Sequence, residues 1–305
     1  MNKVFIDGSA GTTGLNITER LKARKDLKVS VLSDNLRKDK FAREEELNNA
    51  DVVILCLPDD AAIEAVSMIK NPSVKVIDTS TAHRVKGGWV YGFPELEGFR
   101  QKIAAAKRVA NCGCHASGFI ALVFPLVKAG IIESTALLNC FSLTGYTGGG
   151  KKMIAEYEGE KPELYNAPRM YGLNQMHKHI PEMRAVCGLK SSPCFCHVVA
   201  DFPRGMEVIV PLFAKEINGG INDIKECYKK AYDGKVVKFA ADDENGFLSA
   251  NAYAGKDTMG VSVYGNEERI LLTARFDNLG KGACGAAIQN LNVMLGVEET
   301  TGLIL

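Results

Sequence analysis

The residues best suited to covalent chemistry lie in the run Asn111-Cys112-Gly113-Cys114-His115-Ala116-Ser117-Gly118, between a short strand-like stretch at 108–110 and an apolar helical segment at 119–127. A cysteine where a strand gives way to a helix faces unpaired N–H groups and the positive end of the helix dipole, which lower a thiol's pKa from about 8.5. Cys112 belongs to the strand end, whereas Cys114 lies nearer the helix start, behind a glycine, Gly113, that permits an unusual backbone conformation. Cys114 is therefore the expected thiolate nucleophile. A second reactive set, His177-Lys178-His179-Ile180-Pro181-Glu182, holds two of the five histidines with a carboxylate three residues beyond the second. An imidazole oriented by a carboxylate exchanges protons with a thiol or an oxyanion near neutral pH. On the residues alone this motif could equally be a solvated loop. A metal is not expected: the histidines lack the i, i+4 spacing of zinc-binding helices, and the pairs Cys112/Cys114 and Cys194/Cys196 are too close for zinc knuckles.

The elements that must position these groups begin with a β-rich run at 3–7, a turn Gly8-Ser9-Ala10-Gly11-Thr12-Thr13-Gly14, and a helical pattern from Leu15 to Leu21. A strand at 27–32 completes a βαβ unit. Glycines at 8, 11 and 14 form a variant of the dinucleotide fingerprint, in which the backbone approaches a pyrophosphate at a helix N-terminus. The alternative is a tight turn without a ligand. After the second strand, Ser33, Arg37 and Lys38 offer a hydroxyl and two cations beside Asp34, which favours a 2′-phosphate and hence NADP. Buried-strand runs at 51–58 and 74–78, with a helix at 60–69 between them, imply a parallel sheet covered on both faces. Ser80 and Arg84 follow the strand that ends at Asp78, where they could meet an anionic substrate group.

Beyond residue 130 the pattern turns β-rich, with runs at 137–144, 196–202 and 207–213, and suggests an α+β domain with a mixed sheet. The glycine-rich run 145–152 has Lys151 followed by Lys152, so it lacks the P-loop pattern. The tail reads as a loop around Asn278 and Gly280, then an amphipathic helix ending at Gly296.

With 37 Lys+Arg against 36 Asp+Glu, the net charge of +1 excludes a polycationic nucleic-acid or membrane-surface binder. The longest nearly pure apolar run, 118–127, is half of the roughly 20 residues a bilayer helix needs. Nine scattered cysteines and no signal-like N-terminus suggest a cytoplasmic protein whose thiols mostly pack.

Taken together, these residues resemble the N-acetyl-γ-glutamyl-phosphate reductases, a branch of the aspartate-semialdehyde dehydrogenase-like family. The resemblance rests on 8–14, Asp78-Thr79-Ser80 with Arg84, Tyr91-Gly92-Phe93-Pro94-Glu95-Leu96, Asn111-x-Gly113-Cys114, 177–182, and Lys281-Gly282-Ala283-x-Gly285. Two positions depart from the family pattern: Cys112 stands where proline is usual, and His115 where tyrosine is usual. The short chain is similar to the compact subtype.

The resemblance implies an α/β fold with a Rossmann-type doubly wound parallel sheet over 1–113, completed by a C-terminal helix at 281–305, and an α+β catalytic and dimerisation domain with a mixed sheet over 114–280. It implies NADPH-dependent reduction of an N-acetyl-γ-glutamyl phosphate in arginine biosynthesis. Cys114 would attack the acyl phosphate, phosphate would leave, and hydride would convert the thioester to a thiohemiacetal that collapses to aldehyde. His179 would be the acid–base partner, Glu182 its orienter and His177 a substrate or oxyanion contact, with the principal role open between the two histidines. Ser80, Arg84 and Arg204 would contact substrate, and Asn278 and Gly280 would join Gly8, Ser9, Ala10, Gly11, Thr12, Thr13, Gly14, Ser33, Arg37 and Lys38 around NADP. A homo-oligomer, dimer or tetramer, is implied. The rivals are a sister reductase acting on aspartyl phosphate or an aminoadipyl derivative, and a non-catalytic NADPH redox sensor.

Overall fold

The computed structural model describes residues 1–240 and 243–305, which divide into two compact units. The first comprises Met1–Pro94, Gly98–Cys112 and Ala283–Leu303; the second comprises Glu95–Glu97, Gly113–Gly282 and Ile304–Leu305.

In the first unit the chain runs β1 (Asn2–Asp7), α1 (Thr12–Lys22), β2 (Leu27–Ser30), α2 (Lys40–Asn49), β3 (Val52–Leu55), α3 (Asp59–Met68), β4 (Lys75–Asp78), β5 (Val90–Gly92), α4 (Phe99–Ala105) and β6 (Arg108–Asn111). The six strands form one parallel sheet in the order β2-β1-β3-β4-β6-β5. Because successive side chains on a strand point to opposite faces, Val4, Ile6, Ile54 and Ile77 enter one core while Phe5, Val53, Leu55 and Val76 enter the other. Helices α2 and α3 cover the second core through Leu47, Ala62, Ala65 and Met68. The first core is covered by α1, by α4 and by Ala287, Ile288 and Leu291 of the C-terminal helix. The sheet is thus doubly wound, as expected.

The second unit holds α5 (Cys114–Lys128), β7 (Asn139–Gly145), α6 (Gly150–Glu158), β8 (Arg169–Tyr171), α7 (Ile180–Cys187), β9 (Cys194–Ala200), β10 (Met206–Phe213), α8 (Ile221–Ala231), β11 (Val237–Phe239), β12 (Met259–Gly265) and β13 (Arg269–Phe276). Its sheet runs β11-β12-β13-β10-β7-β9-β8 and is mixed, with parallel pairs β7·β9 and β11·β12 among antiparallel ones. The β12–β13 hairpin is absent from the sequence reading, although two β-rich runs flanking Gly265-Asn266-Glu267-Glu268 signal it. A π-helical turn, Gly280–Cys284, then leads into α9 (Gly285–Leu295), which ends at Gly296 with φ 70°.

Helix α5 is apolar on nearly every side and lies on the sheet: a Cβ at Gly118 would come within 3.0 Å of Val208, so glycine lets the helix approach β10. Pro125 lies inside it and cannot donate to the carbonyl of Ala121. The Tyr232 hydroxyl donates to that carbonyl at 2.6 Å, and Tyr228 donates to Leu122 O at 2.5 Å. The vacancy left by proline is filled from outside the helix. Among the described residues no helix is long and apolar enough to cross a membrane.

Candidate active site

In the first unit, the turn after β1 wraps a cavity of about 400 Å³ lined by Asp7, Gly8, Ser9, Ala10, Gly11, Arg37, Lys38 and Pro58, among others. The three glycines have different reasons. Gly8 has φ 88° and a Cβ there would meet the Cys56 carbonyl at under 3.0 Å; a Cβ at Gly14 would meet the Gly8 carbonyl oxygen equally closely. Both are demanded by the protein's own packing. Gly11 is different: its nearest neighbour would be an ordinary 3.7 Å away, it is exposed, and it is the N-cap of α1 without a side-chain cap. Nothing in the protein requires glycine there, whereas an anionic ligand on the first-turn N–H groups would. The residues present therefore fit a dinucleotide pyrophosphate, with the cations of Arg37 and Lys38 on the same cavity. Ser33 does not line this cavity; its hydroxyl donates to Asn35 Oδ1 at 2.7 Å.

A buried ion pair underlies the site and was not legible in the sequence. Asp7, at the end of β1, accepts from Nε and Nη2 of Arg43 at 3.1 and 3.0 Å, while Nη1 of Arg43 reaches Glu64 at 3.1 Å. The cation comes from α2, far along the chain from the glycine motif.

The loop after β4 is knit internally. Asp78 accepts from Ser80 Oγ at 2.8 Å and lies 2.6 Å from His83 Nδ1, and the His83 ring stacks on Trp89 at 4.1 Å. Arg84 donates to the Asn111 carbonyl at 2.9 Å and to the Thr79 carbonyl at 3.2 Å. Ser80 and Arg84 are thus engaged in building the loop and in holding the end of β6. Asn111 in turn accepts from Asn290 Nδ2 on α9 at 2.9 Å and donates to Ala283 O at 3.0 Å.

In the second unit, Cys114 is the first residue of α5, so the helix begins five residues before the purely apolar stretch. Gly113 is the N-cap with φ −82° and ψ 146°, an extended conformation open to any residue; the expected unusual conformation is absent. Cys114 is half-buried, whereas Cys112 is 2% exposed. The carboxylate of Glu182, itself buried in the first turn of α7, accepts from the Gly113 N–H at 3.1 Å and lies 4.0 Å from His179 Nε2 through its other oxygen. His179 donates its backbone N–H to His177 Nδ1 at 3.1 Å, and the two rings meet nearly perpendicular at 4.7 Å. The carboxylate and imidazoles of 177–182 are therefore brought to the N-terminus of α5, beside the Cys114 turn.

A cation–carboxylate pair and a carboxylate hub lie in the same unit. Lys281 is fully buried, its ammonium 2.8 Å from both oxygens of Glu95. A Cβ on Gly282 would come to 3.0 Å from Cys114 Cβ, so Gly282 packs directly on the cysteine. Asp277 accepts from the N–H groups of Leu279 at 2.7 Å and Gly280 at 2.8 Å, and pairs with Arg204 Nε at 2.8 Å. Asn278 donates to Thr147 Oγ1 and accepts from Gly205 N–H, both at 2.9 Å, and Gly280 is required because a Cβ would strike the Lys256 carbonyl. Both positions, expected at the cofactor, serve loops of the second unit. Among the described residues no cluster of His, Cys, Asp and Glu is arranged to hold a metal.

Residues 3–106 match the family described as semialdehyde dehydrogenase, NAD binding domain, and residues 114–278 match semialdehyde dehydrogenase, dimerisation domain. The chain is 44% identical to N-acetyl-gamma-glutamyl-phosphate reductase 2 of a Nostoc species, covering 99% of both chains. It is 43% identical to the protein of that name from Pseudomonas putida, covering 98% of both, and 45% identical to N-acetyl-gamma-glutamyl-phosphate reductase of Brucella ovis, covering 96% of this chain and 99% of the other. Aspartate semialdehyde dehydrogenase II from Vibrio cholerae shares the fold at TM-score 0.74 and 17% identity, covering 97% of this chain and 98% of that one. Spanned from end to end by relatives of one kind and matched in both halves, the chain belongs to the N-acetyl-γ-glutamyl-phosphate reductases of the semialdehyde dehydrogenase family.

Proposed function

We propose that this chain reduces N-acetyl-γ-glutamyl phosphate to N-acetylglutamate 5-semialdehyde with release of phosphate, a step of arginine biosynthesis, using NADPH and Cys114 as nucleophile. The observation that carries the reading is Cys114 in the first turn of α5, with Glu182 bonded to the preceding N–H and the His177 and His179 rings against His115, the next residue.

Cys114 sulfur attacks the acyl carbon, the carbon–oxygen bond to phosphate breaks, and a thioester forms. The N–H groups of the first turn of α5 hold the oxyanion that develops on the carbonyl oxygen. The 8–14 turn with Arg37 and Lys38 would hold the nicotinamide cofactor, which would supply the hydride for reduction. Collapse of the thiohemiacetal returns the thiolate, and His179, braced by Glu182, gives it a proton or removes one before the next attack. Arg204, whose side chain is 37% exposed beyond its pair with Asp277, is the better placed of the three proposed substrate residues. Ser80 and Arg84 would have to contact phosphate alongside their internal bonds.

Self-association through the second sheet is part of this reading. Phe141, Met170, Phe213 and Leu271 share one face of that sheet and are 40% to 53% exposed, an apolar patch suited to a second copy of the chain. The nine cysteines, none of them in a disulfide, fit a reducing, cytoplasmic setting.

Phosphate-dependent oxidation of N-acetylglutamate 5-semialdehyde with NADP, read by absorbance, tests the reaction; aspartate semialdehyde is the competing substrate. Cys114→Ser is expected to abolish turnover with NADPH affinity unchanged. Preference for aspartate semialdehyde, or turnover retained in Cys114→Ser, would overturn the reading.

A further inference from the structure

Four of the five histidines converge in the second unit, and the mechanism uses only two of them. His115, the residue after the nucleophile, is 3% exposed; its Nδ1 lies 2.7 Å from Ser142 Oγ and its Nε2 lies 2.9 Å from the Tyr171 hydroxyl. The sheet register explains how one ring reaches both. Ser142 on β7 pairs with His197 on β9, which pairs with Tyr171 on β8, so the three side chains form a row across one face of the sheet. His115, projecting from the first turn of α5, spans that row from end to end. The buried His197 ring fills the middle, stacked on Phe195 at 4.4 Å and edge-on to Tyr171 at 4.3 Å.

We propose that His115 is a positioning residue of the active site: anchored by Ser142, it fixes the Tyr171 hydroxyl beside Cys114. The proposal rests on the reading of Cys114 as nucleophile. The Tyr171 hydroxyl meets the first turn of α5 at His115, the residue next to Cys114, and burial, followed by negative charge on Cys114, pushes the phenol's pKa up. Burial, followed by the charges of His177 and His197, holds His115 well below the ordinary histidine value, so at neutral pH it is a neutral ring with one N–H. In the tautomer this proposal requires, Ser142 donates to Nδ1 and the Nε2–H donates to the Tyr171 oxygen. The phenol's own proton is then free to be donated to the Cys114 sulfur or to the oxyanion formed on it. Without His115 the phenol rotates, and that donation is lost for part of the time.

The test follows the rate at which iodoacetamide alkylates Cys114 across pH 5–9, together with kcat and both KM values. The ionisable groups around that turn are Tyr171, His177, His179, His197 and Glu182, and all are retained in the His115 variants. His115→Phe is expected to slow alkylation at pH 7 and lower kcat by about tenfold, with KM for NADPH unchanged. Tyr171→Phe should do the same, and the double variant should lose no more than either single one. His115→Gln, which can keep a side-chain hydrogen bond to Tyr171, should recover most of the rate; Ser142→Ala, a smaller change, should give an intermediate loss. Wild-type alkylation and kcat in His115→Phe, or losses that add in the double variant, would overturn the proposal. Turnover in Cys114→Ser would instead remove the nucleophile reading and the proposal with it, whereas an inactive Cys114→Ser beside an unimpaired His115→Phe removes the proposal alone.

Discussion

Replacing each glycine of the 8–14 turn by alanine separates what the fold requires from what the cofactor requires. At Gly8, alanine must adopt φ 88° and place a methyl against the Cys56 carbonyl. The left-handed backbone costs about 1–2 kcal/mol and the overpacking a further ~1–3 kcal/mol, so roughly 2–5 kcal/mol is lost. At about 2–4 °C per kcal/mol for a domain of this size, the melting temperature should fall by roughly 10 °C. Gly14→Ala should fall comparably, by crowding the Gly8 carbonyl. At Gly11 the backbone is already extended, with φ −75° and ψ 164°, and the added Cβ meets only a 3.7 Å contact. There the ~0.5–1 kcal/mol lost at the N-cap is offset by ~0.4–1 kcal/mol from a stiffer unfolded chain. Gly11→Ala should melt within about 2 °C of wild type. On the proposed cofactor placement, however, its methyl would meet the pyrophosphate, and NADPH affinity should weaken by about tenfold or more, equivalent to ~1.4 kcal/mol. Thermal denaturation followed by circular dichroism, and NADPH fluorescence titration, give the two readouts. Wild-type NADPH affinity in Gly11→Ala, or a melting loss there equal to that of Gly8→Ala, would refute the distinction.

Two further outcomes follow from buried charge. Lys281→Met leaves the Glu95 carboxylate buried without its cation and should cost about 3–5 kcal/mol, read as a lower urea midpoint; adding Glu95→Leu should restore most of it, and a neutral single variant would contradict the assignment. His115 and His197 are both held below the ordinary histidine value of 6.5 by burial, so their neutral forms are favoured in the folded state. The unfolded chain therefore binds more protons below pH 6.5, and stability present above that pH is lost as pH falls. A histidine still neutral in the folded protein at pH 5.5 costs ~1.4 kcal/mol relative to neutral pH. His197→Phe, which can keep the stack on Phe195, should flatten that acid limb, and an unaltered slope of urea midpoint against pH would exclude His197 as a contributor.

The periodic parts of this protein are legible in its sequence. Continuous apolar strands alternating with helices specify a doubly wound sheet because both faces must be covered, and Phe5 in one core with Val4 and Ile6 in the other shows both faces filled. The placement of Cys114 at a helix start was equally legible, since it depends on neighbours in the chain. What could not be read were partners distant in sequence: Arg43 under the glycine turn, Glu95 against Lys281, and His115 bridging two strands. The internal contacts of Ser80, Asn278 and Gly280 were hidden for the same reason: their hydrogen bonds and close approaches are made to loops that only the folded chain brings together.

The bond from Tyr232 to the carbonyl left open by Pro125 bears on how this sequence is able to drift. While proline stands at 125, loss of the tyrosine hydroxyl strands a buried acceptor; once another residue restores the helical N–H, position 232 is released to become phenylalanine. The permissible order of change is therefore fixed: 125 first, 232 second. Lineages of this enzyme that have lost the proline should be the ones in which the tyrosine is no longer held.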